Sequence, residues 1–123
     1  MNYLELQALR QLFFMSIDES AHYIVGKGIA DSKNTKMWQQ WENGEQEIPT
    51  AVIETLTLMN EKRRKRINAI IEKINNRIGN NTMRFFPDYQ TYHSIFPDGD
   101  FLEWKIYQSV AAELYSHDLE RLC

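Results

Sequence analysis

Trp38 to Pro49 reads WQQWENGEQEIP. Two indoles three residues apart share one face of a helix, and the glutamines between them, Gln39 and Gln40, point elsewhere. Asn43-Gly44 stops the segment, because glycine takes the left-handed conformation that closes a helix with no side chain to clash. The stretch therefore predicts the end of an amphipathic helix that buries Trp38 and Trp41 and leaves an amide-bearing surface outside. An amide of this kind carries a donor and an acceptor on one plane and matches the adenine edge in the major groove, while lysine reaches guanine or phosphate.

Upstream, Ser32 or Asn34 can cap this helix, which then runs to Glu42 or Asn43 and leaves Thr35, Lys36, Gln39 and Gln40 on the open side. Ser16-Ile17-Asp18-Glu19 is an S-x-x-E capping box that starts a preceding helix, with Ala21, Ile24 and Val25 on its buried side and Gly26 and Gly28 at its exit. Tyr3 to Phe14 places Leu4, Leu6, Leu9, Leu12 and Phe13 at near-helical spacing.

Downstream, Ile48-Pro49-Thr50 opens a fourth helix with proline in its first turn and a stripe of Val52, Ile53, Leu56 and Met59. The stripe breaks at the basic block Lys62, Arg63, Arg64, Lys65, Arg66 and resumes as Ile67, Ile70, Ile71, Ile74 and Ile78. One long helix from Thr50 to Ile78 is preferred over two joined within the basic block, with Gly79-Asn80-Asn81 as its stop. The isoleucine stripe fits either an intrachain core or a dimer seam. Met83 to Phe86 reads as a short strand, and Asp88 caps a helical turn through Tyr92. After the turn Pro97-Asp98-Gly99-Asp100, the spacing of Tyr107, Val110, Ala111 and Leu114 is helical. Phe101 to Tyr107 fits the start of that helix or an edge strand paired with Met83 to Phe86.

At 123 residues the chain has room for one domain, or for a small domain with an appended oligomerisation element. An apolar content of 43% with 25% charged residues describes a globular protein, not a disordered one. Charge is unevenly placed: residues 1 to 60 hold four basic against eight acidic side chains, 61 to 80 seven against two, and the remainder three against seven. The overall acidity argues against indiscriminate nucleic-acid binding, while the local basic segment keeps a directed phosphate contact open. No apolar run suits a membrane span and MNYLELQALR lacks the pattern of a signal peptide, so the expected location is cytoplasmic, with no membrane partner. A single cysteine, Cys123, excludes an intrachain disulfide. His22, His93 and His117 are scattered and Asp98-Gly99-Asp100 is too short for a calcium loop, so neither a metal nor another cofactor is expected. No nucleophile and base at meaningful spacing and no phosphate-cradling glycine loop are present, which argues against an enzyme.

Two consecutive helices, the second with inward aromatics and a polar outer face, make a helix-turn-helix candidate. From Leu9 to Met59 the chain resembles the Cro and phage-repressor type of DNA-binding domain, in Ser16, Asp18, Glu19 and Ala21 and then in Trp41, Glu42, Gly44 and Pro49. Over almost its full length it resembles the YdiL-like proteins and the related anti-CRISPR-associated repressors, in ELQALR, in WxxWENG with its following IP, and in MRFF with WKIYQSVAAELY. It departs from the repressor pattern in carrying Ile17 where many relatives have a phosphate-binding Gln, and in the lengthened connection GKGIADSKN.

The resemblance implies a mainly α fold, a lambda-repressor-like helix-turn-helix bundle over residues 1–60 with a helical dimerisation region over 61–123, to which a two-stranded β element can be added. It implies a homodimeric transcriptional repressor that reads an inverted repeat in double-stranded DNA. Lys33, Asn34, Thr35, Lys36, Gln39 and Gln40 would then lie on the recognition helix, with Lys62 to Arg66 as candidate phosphate contacts and Trp41 in the core. Two alternatives remain at this level: a protein-binding module that keeps the fold without reading DNA, and an RNA-binding module that works through the basic block.

Overall fold

A computed structural model of the chain describes residues 1–75 and 81–123. The expected continuation of the fourth helix to Ile78 and its stop at Gly79-Asn80 lie outside the described residues. The described chain is mainly α-helical, with one two-stranded parallel β element. It divides into two compact units, Met1–Leu58 and Met59–Cys123.

The first unit opens with α1 (Tyr3–Leu12), whose capping box joins Asn2 and Glu5. Each of these residues satisfies the other's free backbone amide, which is the reason the helix starts there. Leu6 and Phe13 are fully buried, but Leu4, expected on the apolar stripe, is exposed because it falls on the opposite side of the helix. The Ser16–Glu19 capping box forms in both directions and starts α2 (Ile17–Ser20). A π-helical turn, Ala21–Val25, continues α2 and buries Ala21 and Ile24. α3 (Ser32–Glu42) is capped by Asp31, whose carboxylate accepts from the Lys33 amide, so neither Ser32 nor Asn34 is the cap. Gly44 closes the helix at φ +75°, the left-handed conformation expected of it.

α4 (Thr50–Asn75) is one helix among the described residues, as preferred from the sequence. Pro49 stands just before its first turn rather than in it, and its carbonyl accepts from the Val52 and Ile53 amides. The core of this unit gathers Leu6, Phe13, Trp38, Trp41, Val52 and Leu56. Burying an aliphatic or aromatic side chain of this size contributes about 1.5–3 kcal/mol each.

The second unit corrects one expectation and decides between two alternatives. The strand β1 is Thr82–Met83, not Met83 to Phe86, and it pairs in parallel with β2 (Arg121–Leu122). Phe101 to Tyr107 is therefore not its partner. These residues begin α6 (Phe101–Ser116), because Asp100 caps the helix by accepting from the Glu103 amide. α5 (Tyr89–Ile95) starts at Asp88 as expected and runs three residues past Tyr92. Asp88 accepts from both the amide and the hydroxyl of Thr91, and these bonds hold its carboxyl below the usual range.

Phe86 is the hub of this unit's core. Its ring meets Tyr92, Phe96 and Tyr107 edge-on at centroid distances of 5.3–5.9 Å. Its carbonyl accepts from the indole of Trp104 at 2.8 Å and the amide of Gln108 at 3.1 Å, so burying these polar groups leaves none of the three unsatisfied. Ile67, Ile70, Ile71 and Ile74 are half-buried, so the stripe is only partly consumed by intrachain packing among the described residues.

Candidate nucleic-acid interface

The candidate surface is the outward side of α3. At 3.6 residues per turn, burying Trp38 and Trp41 turns Lys36 to the far side, with Gln39 on one flank and Lys33 and Gln40 on the other. Lys33, Lys36 and Gln39 are exposed, and Gln40 is half-exposed. Asn34 and Thr35 are half-buried on the flank toward the core. The Asn34 amide lies against the Gly26 turn, 3.4 Å from where a Cβ on Gly26 would stand, so it faces its own chain more than an outside partner. Met37, which has no place in the sequence pattern, is an exposed apolar side chain of this helix.

Two devices set the helix in place. The first is a clamp at its C-terminal end. The Arg10 guanidinium on α1 donates Nε to Glu42 Oε2 at 2.7 Å and Nη2 to Oε1 at 2.9 Å, while Nη1 donates to the Met15 carbonyl at 3.0 Å. The Trp38 indole donates to the same Glu42 Oε2. The Glu42 side chain is 6% exposed and Arg10 13%, so a two-toothed ion pair is sealed from solvent with nearly all its bonding capacity used. The motifs ELQALR and WENG thus meet in space. Arg10 and Glu42 escape a sequence reading as positioning residues because they stand 32 positions apart, a separation with no local signal.

The second device is the turn that enters α3. Gly26 donates to the Ala21 carbonyl, Gly28 to the His22 carbonyl and Ile29 to the Gly26 carbonyl, and His22 Nε2 meets the Gly28 carbonyl at 2.8 Å. Lys27 at φ +49° and Gly28 at φ +93° complete the reversal. The lengthened connection is consequently a hydrogen-bonded structure of its own.

The basic block divides by function. Lys62 donates to Glu103 at 2.9 Å, Arg66 to Glu103 at 2.7 Å, and Arg63 to the Ser109 hydroxyl at 2.7 Å with Glu113 3.3 Å away. Three of the five candidate phosphate contacts therefore hold α4 to α6 within the second unit. Arg64 and Lys65 are exposed and have no ion-pair partner among the described residues. Burial raises the Glu103 pKa, but the Lys62 bond and the charges of Arg66 and Lys62 outweigh it, and the net shift is downward. A carboxyl depressed on folding stabilises the protein above its unfolded pKa, and that stabilisation is lost as pH falls through the folded value. The stability difference between wild type and Glu103→Gln is thus expected to be constant at neutral pH and to shrink below about pH 4. Urea titrations at stepped pH measure it.

Among the described residues no group of His, Cys, Asp and Glu is placed to hold a metal ion, and no helix is long and apolar enough to cross a membrane.

A family model described as Aca2/YdiL-like matches residues 1–123. The uncharacterized protein YdiL of Escherichia coli (strain K12) is 60% identical over 123 residues, spanning all of both chains. The Aca2 repressor of Pectobacterium phage ZF40 is 31% identical over 113 residues, covering 91% of this chain and 90% of the relative.

Proposed function

The chain belongs to the Aca2/YdiL-like family, and from that premise we propose that it is a sequence-specific DNA-binding repressor that acts as a homodimer on an inverted repeat. The observation that carries the reading is the outward face of α3, where Lys33, Lys36, Gln39 and Gln40 lie opposite two buried indoles. A relative named as a repressor, similar over nine-tenths of both chains, supports the regulatory part.

In this reading α2 and α3 form the helix-turn-helix. Lys33 and Lys36 contact phosphate or guanine while Gln39 and Gln40 select bases, and two-fold pairing sets the two recognition helices about 34 Å apart. The half-buried isoleucines of α4 suit the seam between copies, and exposed Arg64 and Lys65 add phosphate contacts. Asn34 and Thr35 take a lesser part, since both are turned toward the core.

The test is a polarisation titration against the DNA upstream of the chain's own coding sequence. Gln39→Ala with Gln40→Ala is expected to remove about 1–3 kcal/mol of sequence discrimination for each base that is no longer read, and to leave non-specific binding in place. Wild-type affinity is expected to fall steeply with salt as counterions are released. Binding indifferent to both salt and the double substitution overturns the reading. Retention of RNA that depends on Arg64 and Lys65 but not on α3 would replace it with the RNA-binding alternative.

A further inference from the structure

Met37 is 38% exposed and is the one exposed large apolar side chain of α3. It lies on the flank that carries Lys33 and Gln40, one turn after the first and one turn before the second, about 40° from Lys33 and about 60° from Gln40 around the helix axis. Lys33, Lys36 and Gln39 are exposed and Gln40 is half-exposed, so Met37 interrupts an otherwise polar surface. A single exposed apolar side chain is ordinary on a protein surface. Its place in this row gives it a use, because in the proposed regulator the DNA that meets Lys33 and Gln40 also meets the residue between them.

The chemistry of the side chain narrows what it can read. A thioether offers no donor and only a weak acceptor, so it cannot compete for the hydrogen-bonding edges of guanine, adenine or cytosine. Among the groups that distinguish base pairs in the major groove, the thymine C5-methyl is the apolar one. The methionine stem is unbranched with three soft torsions, so it can follow a methyl through small shifts of the helix. Resting on the regulator reading above, we infer that Met37 is a specificity-determining residue that selects thymine by burying its methyl group. Three helical residues rise about 4.5 Å and successive base pairs about 3.4 Å, which puts this thymine in the pair next to the one read by Gln40. The two side chains then read neighbouring pairs by unlike chemistry, hydrogen bonding at one and apolar contact at the other.

Met37 also edges an apolar groove of the first unit together with Val25, Trp41 and Leu58. A residue that only closed this groove would support α3 from behind, and its loss would weaken binding to every DNA alike. Selection of a methyl makes the loss depend on the base.

The experiment is a polarisation titration of the full chain with the DNA upstream of its own coding sequence, prepared once with thymine and once with uracil throughout. Uracil keeps every hydrogen-bonding group of thymine and lacks only the methyl. Wild type is expected to prefer the thymine form, and its preference is expected to exceed that of Met37→Ala by about fourfold for each half-site, the contribution of one buried methyl. The quantity read is a ratio within one protein, so an unfolded fraction or a weakened support of α3 lowers both affinities and cancels. Equal ratios for wild type and Met37→Ala overturn the assignment. Where the thymine form is still bound with the expected dependence on Gln39, Gln40 and salt, that result leaves the regulator reading standing. Binding of neither form above non-specific DNA overturns both.

Discussion

Glu42→Ala is expected to destabilise the chain by about 3 kcal/mol, read as a shift of the urea midpoint followed by tryptophan emission. The truncation strips Arg10 of both carboxylate bonds and Trp38 of its indole acceptor, leaving a cation and an N–H in a site that water scarcely reaches. The cost comes chiefly from the groups left behind, and a double-mutant cycle exposes this. Arg10→Ala with Glu42→Ala is expected to be much less destabilised than the sum of the single changes, because removing both partners leaves no orphaned charge. Glu42→Gln is expected to fall between, since its amide oxygen still accepts from the indole but no longer opposes the guanidinium. An additive cycle would show that the pair contributes nothing as a pair.

Gly26→Ala is expected to cost about 3 kcal/mol, although Gly26 has an ordinary negative φ. The added Cβ would stand 2.3 Å from the Ile29 carbonyl oxygen and 2.8 Å from that of His22. Both are backbone atoms of the same turn, and neither can rotate away. Relief requires opening the hydrogen bonds that lead into α3, so in the proposed regulator DNA affinity is expected to fall with stability. Gly28→Ala is the control. It has a φ of +93° but nothing within 4 Å of an added methyl, so only backbone strain of about 1 kcal/mol is expected. Equal effects at the two glycines would remove packing as the cause.

These two sites show what the sequence made legible. Local signals carried most of the first unit: the Ser16–Glu19 box, the indole spacing and the closing Gly44 each act within four residues, and each is found where the pattern put it. The sequence reading places the α3 cap at Ser32 or Asn34 and misses Asp31, because all three are capping residue types and only backbone conformation chooses among them. Phe101 to Tyr107 was ambiguous for a different reason. α6 is buried on nearly every side, which removes the polar face that periodicity needs, although Asp100 three residues before Glu103 is itself a helix-start signature. Two-residue strands have no period at all, so the pairing of Thr82–Met83 with Arg121–Leu122 leaves no mark in the sequence. The outward face of α3 was readable from spacing, and the parts that support it were not. In the sequence Glu42 reads only as part of a motif and not as a partner of Arg10, and Lys62, Arg63 and Arg66 read as candidate phosphate contacts because their partners lie 37 to 50 positions away.

The distribution of the three indoles gives the molecule two separate optical reporters. Trp38 and Trp41 sit with ring centroids 5.6 Å apart in the first unit, close enough for their transitions to couple, while Trp104 stands alone in the second. Trp104→Phe would leave emission that reports on the first unit alone, and the coupled pair should give a near-ultraviolet circular dichroism band that vanishes when that unit melts. Melting followed at two wavelengths can therefore tell whether the halves lose structure together or in sequence, without a label attached to either.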